Sequence, residues 1–249
     1  MLERLAARHE IAYVLTQPDR QSGRGGRVAP PPAKGAAEAL GIPVRQPERL
    51  GEEFDPEVDT LVAVAYGQLV PREALERARW LNVHPSLLPR WRGAAPVERA
   101  LMAGDTETGV SIIELVEALD AGPIAARERF DVGIDDDAGA VFERAAELTP
   151  DLIDAALDNE RPAPQGEDGT TYAEKIGSAD RELDWSVAPE ELHNRIRALS
   201  PHIGARGLVE GRPVIVWRSR LVDGGLELLE VQPEGRRRMT YDELLRGLR

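Results

Sequence analysis

Apolar positions fall along the chain in short runs, separated by longer stretches with helical spacing. Ile11-Ala-Tyr-Val-Leu15 and Leu61-Val-Ala-Val-Ala65 have the length and branched content of buried strands, and Leu81-Asn-Val-His84 predicts a third. Helical patterns over residues 32–40, 71–79 and 95–103 lie between and after them, the last closed by Gly104. Strand and helix in alternation predict an α/β, Rossmann-like domain: a mostly parallel sheet with helices on both faces. Gly109-Val-Ser-Ile-Ile-Glu-Leu115 and residues 123–132 predict two later strands suited to antiparallel pairing, and residues 138–157 a long helix. Residues 159–170, rich in Pro, Gly and charge, have the composition of a linker. Beyond it, Leu183-Asp-Trp185, a helical pattern over residues 189–199 and Pro213-Val-Ile-Val-Trp217 predict a second, smaller β-containing domain. The expected division is residues 1–158, a linker over 159–182, and residues 183–249.

Composition narrows the chemistry. With no cysteine among 249 residues, a disulfide scaffold, a thiolate metal site, an iron–sulfur cluster and a cysteine nucleophile are excluded. No apolar run approaches the 18 residues of a membrane-spanning helix, and the charged, amphipathic first ten residues lack a signal-peptide core, so neither membrane insertion nor secretion is expected. A net charge of −13 argues against indiscriminate nucleic-acid binding. That charge is uneven: residues 181–249 carry 12 Arg against 11 Asp and Glu, a nearly neutral tail on an acidic body.

Of the four histidines, His9 lies among charges, and His193 and His202 have the setting of surface or packing residues. His84 stands at the end of an apolar strand, in Asn82-Val-His-Pro-Ser-Leu-Leu-Pro89, where loop residues emerge at the carboxyl edge of a sheet. Asn82, two residues earlier, points to the same side. An amide there can donate to an oxyanion and an imidazole can move a proton near neutral pH. A carboxylate could orient the imidazole, and spacing alone does not choose among Asp120, Glu114 and Glu117. There is no His-Glu-x-x-His or other three-ligand pattern, so no metal is expected. Ser86 lacks a Gly-x-Ser-x-Gly setting, and Ser22-Gly-Arg-Gly-Gly-Arg27 lacks the phosphate-loop spacing and its Gly-Lys-Ser/Thr ending.

Several blocks together resemble one family. Thr16-Gln-Pro-Asp-Arg20 with Gly23-Arg-Gly25, Ala65-Tyr-Gly67, Asn82 through Pro96, Gly104-Asp-Thr-Glu-Thr-Gly-Val110 and Leu119-Asp-Ala-Gly-Pro123 follow the order seen in methionyl-tRNA formyltransferases. Thr171-Tyr-Ala-Glu-Lys-Ile176, Asp184-Trp-Ser186 and Val231-Gln-Pro-Glu-Gly235 extend the likeness over nearly the whole chain. The resemblance implies a cytoplasmic, bacterial-type, monomeric enzyme of translation initiation. Such an enzyme passes a formyl group from 10-formyltetrahydrofolate to the α-amine of methionyl initiator tRNA. It implies Asn82, His84 and Asp120 as catalytic residues and Ser86, Leu87, Leu88 and Pro89 as the folate-contacting loop. It also implies Arg24 as the key basic position of a tRNA-facing loop. Residues 16–35 carry Arg20, Arg24, Arg27 and Lys34 against Asp19, a local positive charge within an acidic domain. Formyl transfer to a sugar amine or a purine precursor, and an inactive tRNA- or folate-binding remnant, are the competing expectations.

The departures from the family lie at the ends. Its members begin with a further strand and a glycine-containing turn, so here neighbouring strands are expected to expose unpaired backbone or to re-pair. The second domain is short, with Val222-Asp-Gly-Gly225 in place of family strands, and an abbreviated OB-like barrel, not necessarily closed, is expected. Arg236-Arg-Arg238 on it is a candidate tRNA contact.

Overall fold

The structure is a computed structural model that describes residues 1–22, 27–51 and 54–247. It divides into two compact units. One comprises Met1–His84, Ser111–Arg127 and Ala146–Gln165; the other comprises Pro85–Val110, Glu128–Ala145 and Gly166–Arg249.

The chain opens with α1 (Leu2–Ala6), β1 (Val14–Leu15), β2 (Arg20–Ser22), β3 (Arg27–Ala29), α2 (Pro32–Ala39) and β4 (Val44–Arg45). It continues through β5 (Thr60–Val64), α3 (Arg72–Leu75), β6 (Arg79–His84), β7 (Arg92–Gly93), α4 (Pro96–Met102), β8 (Glu107–Glu114), β9 (Ile124–Asp131) and α5 (Ala138–Asp158). The remaining elements are β10 (Tyr172–Ala173), α6 (Pro189–Leu199), β11 (Ala205–Val209), β12 (Arg212–Val222), β13 (Gly225–Pro233), β14 (Met239–Thr240) and α7 (Tyr241–Arg246).

The largest α/β sheet has the strand order β5-β6-β8-β9. β5 and β6 run parallel, with Ala63 opposite Asn82, and β6 and β8 run antiparallel, with Asn82 opposite Ile113 and His84 opposite Ser111. At one end of β8 the Glu114 N–H donates to the Pro123 carbonyl, and at the other the Val132 N–H donates to the Thr106 carbonyl, so β8 and β9 are antiparallel as well. The expected mostly parallel sheet is therefore corrected to a mixed one. The connection from Glu114 to Ile124 is too short for the crossover that parallel neighbours require. β8 is buried from Thr108 to Ile113 without alternation, as befits a strand covered on both faces. β1 pairs in parallel with β4, as a separate two-stranded sheet, and β2 with β3 as an antiparallel pair.

In the first unit Leu50, Leu61, Ala74 and Trp80 form a buried cluster, with Tyr13, Leu15, Phe54 and Leu115 packed against it. The Trp80 indole N–H donates to the Ala74 carbonyl at 2.9 Å, so this large side chain is buried without an unmet donor. Arg8 and His9, just past α1, both reach Asp154 on α5.

The second unit ends in the antiparallel sheet β11-β12-β13-β14, against which α6 packs Leu192, Ile196 and Leu199 onto Val214, Val216 and Val231. Pro189 opens α6, Glu190 and Glu191 occupy its first turn and Arg197 its last, an arrangement that suits the helix dipole. No barrel closes and no sheet curls on itself among the described residues, which overturns the expected OB-like barrel. The cause is local. Val222 pairs with Gly225, so Asp223-Gly224, with Gly224 at φ +77°, forms a two-residue hairpin that returns β12 directly into β13. The order is open, with β11 at one edge and the two-residue β14 at the other. No helix among the described residues is long and apolar enough to cross a membrane.

Candidate active site

β6 runs from Arg79 through buried Trp80 and Leu81 and carries near its end two polar side chains two positions apart, Asn82 and His84. Their ladder partners on β8 are Ile113 and Ser111, the latter fully buried, so both are held by a strand with neighbours on each side. The third group comes from the turn between β8 and β9. Asp120 has φ +46°, in the left-handed region that Asp enters more readily than most residues. The turn is pressed against β8: a Cβ on Gly122 would strike the Glu114 carbonyl, which explains glycine in Asp-Ala-Gly-Pro.

This turn sets one carboxylate between the two strand residues. Asp120 Oδ1 lies 3.4 Å from the Asn82 amide nitrogen, and Oδ2 lies 3.6 Å from His84 Nδ1. The side chains of His84 and Asp120 are 5% and 11% exposed. Glu114 instead pairs with Arg79 at 2.7 Å, and Glu117 faces Arg72 at 3.5 Å, so of the three carboxylates weighed from sequence it is Asp120 that lies beside the imidazole. An amide, a buried imidazole and a carboxylate brought together in this way can bind a developing oxyanion and pass a proton.

The remaining expected site residues are placed by their own neighbours. Ser86, Leu87, Leu88 and Pro89 belong to the second unit, where Ser86 and Leu88 are fully buried and the Ser86 hydroxyl donates to the Arg90 carbonyl at 2.7 Å. Arg90 and Asp105 form two hydrogen bonds, at 2.9 and 2.7 Å, and the Trp91 indole donates to the same carboxylate at 2.8 Å. Leu87, Arg90, Trp91 and Asp105 thus line an open cavity of about 400 Å³ in that unit. Arg20 lies on β2, and its guanidinium donates to the Gln17 side-chain oxygen, whose amide in turn donates to the Tyr66 carbonyl. Arg27 is at the start of β3; Arg24 is outside the described residues. His193 is buried, with one ring nitrogen 3.0 Å from the Ser219 hydroxyl and the other 2.9 Å from the Ile134 carbonyl. Among the described residues no His, Asp and Glu cluster could hold a metal ion.

Comparison with known proteins decides the family. A formyl transferase model matches residues 2–157, and a model of the formyl transferase C-terminal domain matches residues 175–227. The chain belongs to the formyltransferase family. A methionyl-tRNA formyltransferase of Paracoccus denitrificans is 42% identical over a 276-position alignment that covers 99% of this chain and 93% of that protein. That alignment is longer than the 249-residue chain, so the relative carries internal segments missing here. Among solved structures, WlaRD, a sugar 3N-formyl transferase crystallised with dTDP and 5-N-formyl-THF, matches with a TM-score of 0.69 at 14% identity, over 95% of this chain and 93% of its own. HypX from Aquifex aeolicus, in complex with tetrahydrofolic acid, matches with a TM-score of 0.63 at 19% identity, over 76% of this chain and 38% of its own. These two likenesses establish the formyltransferase fold.

Formyl-group transfer is the chemistry of this family. Two of its sequence blocks now have a physical connection: Asp105 of Gly104-Asp105 anchors Arg90 and Trp91 of the block that begins at Asn82. Sequence reasoning passed over Asp105, and also Gln165, whose amide reaches the Asp120 turn. The signal for Asp105 is its place in Gly104-Asp-Thr-Glu-Thr-Gly-Val110, one of the blocks that carry the resemblance; Gln165 carries no local signal.

Proposed function

We propose that this chain transfers the formyl group of 10-formyltetrahydrofolate to the α-amine of methionyl initiator tRNA, with Asn82, His84 and Asp120 as its catalytic residues. The observation that carries this reading is the Asp120 carboxylate between Asn82 and His84, in a chain aligned along 99% of its length with a methionyl-tRNA formyltransferase. The amine attacks the formyl carbon, and the carbonyl oxygen takes up negative charge. One N–H of the Asn82 amide faces Asp120, and the amide's second N–H serves the oxyanion. With Nδ1 turned to the Asp120 carboxylate, the imidazole keeps its proton there and takes the amine proton on Nε2. That proton passes to the departing folate nitrogen as its bond to the formyl carbon breaks. Because a free α-amine titrates at roughly 7.7 to 8.0, a nucleophilic neutral fraction exists near neutral pH.

Ser86, Leu87, Leu88 and Pro89 are assigned to the donor, in a stretch whose backbone the Ser86 hydroxyl ties to Arg90. Arg20, Arg24 and Arg27 are assigned to tRNA phosphates, which a local positive loop can contact without general affinity for nucleic acid. The fold likeness to WlaRD makes a nucleotide-linked amino sugar the second acceptor to test. With one folate donor, charged initiator tRNA and a dTDP-amino sugar are offered in parallel. Preferential formylation of the tRNA supports the proposal, and preferential formylation of the sugar replaces it.

A further inference from the structure

Gln165 lies past α5, in the stretch whose Pro, Gly and charge content suggests a linker. Its side chain reaches back to the turn that carries Asp120. The Gln165 Nε2 donates to the main-chain carbonyls of both Asp120, at 2.8 Å, and Gly122, at 2.7 Å, from 45 and 43 residues away. One primary amide has two N–H donors, and these two carbonyls engage both. The carbonyls belong to the peptide planes that follow Asp120 and Gly122, and between them runs the backbone that leaves Asp120 in the left-handed region. All of these residues lie in one compact unit.

From this geometry we infer that Gln165 is a positioning residue, which acts through the Asp120 turn to hold the carboxylate beside Asn82 and His84. The inference rests on the catalytic roles proposed above. The turn is tied to β8 through Glu114 and Pro123, on the far side of Gly122 from Asp120. That anchor constrains the end of the turn, and a hydrogen bond from the Ala121 N–H to the Ala118 carbonyl, at 3.3 Å, spans its start; the Asp120 and Gly122 carbonyls are the groups that Gln165 holds. A left-handed residue outside a helix or sheet persists when its surroundings over-determine it, and a two-pronged amide clamp supplies such over-determination. Loss of the clamp lets the turn relax, and an orienting carboxylate displaced by even about 1 Å forfeits much of its effect.

The experiment is a double-mutant cycle on formyl transfer to methionyl-tRNA, read as single-turnover rate and as KM for both substrates. Gln165→Met keeps the length of the side chain and removes both donors; Gln165→Ala is the second variant, at a position that is only partly buried. Each is placed in the native chain and in an Asp120→Ala background. The expected result is a rate loss of about tenfold in the native chain, with KM within about twofold, and a change of less than about twofold in the Asp120→Ala background. An unchanged rate, a loss of the same size in both backgrounds, a loss confined to KM, or failure of both variants to fold would each overturn the inference. A native rate for Asp120→Ala alone would instead sink the catalytic assignment on which it rests.

Discussion

His84 and His193 are both almost wholly buried, at 4% and 2% exposure, but their neighbours give them opposite capacities. His193 stands in the middle of α6, with a hydroxyl oxygen 3.0 Å from one ring nitrogen and a main-chain carbonyl 2.9 Å from the other. Both contacts are at ordinary hydrogen-bond length, and they fix the ring between β12 and the start of the acidic loop before α5. His84 stands at the end of a strand, and a charged neighbour, Asp120, sits at 3.6 Å with a second arm toward Asn82 at 3.4 Å. Catalytic contacts are often this long before substrate binds and shorten when charge develops. Burial alone would rank the two histidines together, and a carboxylate lies near each, since the exposed Asp135 stands 3.8 Å from His193 Nε2; a hydroxyl and a carbonyl at hydrogen-bond length make His193 a fastening residue, whereas the largely buried Asp120 sets His84 beside Asn82.

The comparison can be broken from either side. The largest effect is expected at His84, where replacement by Ala lowers the formylation rate by roughly 10² to 10⁴, with the melting transition little changed. Next comes Asn82→Ala, for which loss of one oxyanion donor raises the barrier by about 2.7 to 4 kcal/mol. Rate and tRNA affinity are measured together, and an equal loss in both would remove the oxyanion role. His193→Ala should do the reverse. It leaves Ser219 and the Ile134 carbonyl without their partner and costs about 1–3 kcal/mol in urea unfolding, while turnover stays within about twofold. A dead but fully stable His193→Ala would dissolve the contrast.

The smallest effect concerns pH. Asp180 is held below the usual carboxylate range chiefly by its hydrogen bonds to the Arg99 guanidinium, with the Gly177 N–H adding to it. A carboxylate lowered on folding adds stability above its unfolded value of about 3.9, and that stability fades as pH falls through the lower folded value. The pair is partly exposed, so Asp180→Asn is expected to cost no more than about 1 kcal/mol at neutral pH. The cost should shrink below about pH 4 and with added salt, which melting curves across pH and ionic strength would show.

Much of this arrangement is legible before any coordinates. The period of residues 189–199 yields α6 with the same limits, and residues 138–157 yield α5 to within one residue. Asn82 and His84 are visible because an apolar run ends in alternating polar residues followed by proline. The choice of Asp120 is not, since Glu114 and Glu117 are equally near in sequence. They are separated by Arg79 and Arg72, which claim the two glutamates from other elements. Gln165 was hidden for the opposite reason, because a polar residue in a polar stretch has no periodicity to mark it. The barrel failed because closure depends on how many strands the chain supplies. Asp223-Gly224 is a hairpin signal that sends β12 straight back along itself.

The central claim is that the carboxylate between Asn82 and His84 works in formyl transfer. Asp120→Asn tests it most directly, since it removes the charge while leaving size and tolerance of the left-handed backbone nearly unchanged. With 10-formyltetrahydrofolate saturating and methionyl initiator tRNA as acceptor, the single-turnover rate should fall by at least about a hundredfold, with an unaltered melting transition. A folded Asp120→Asn protein that formylates the tRNA within about threefold of the native rate would contradict the account.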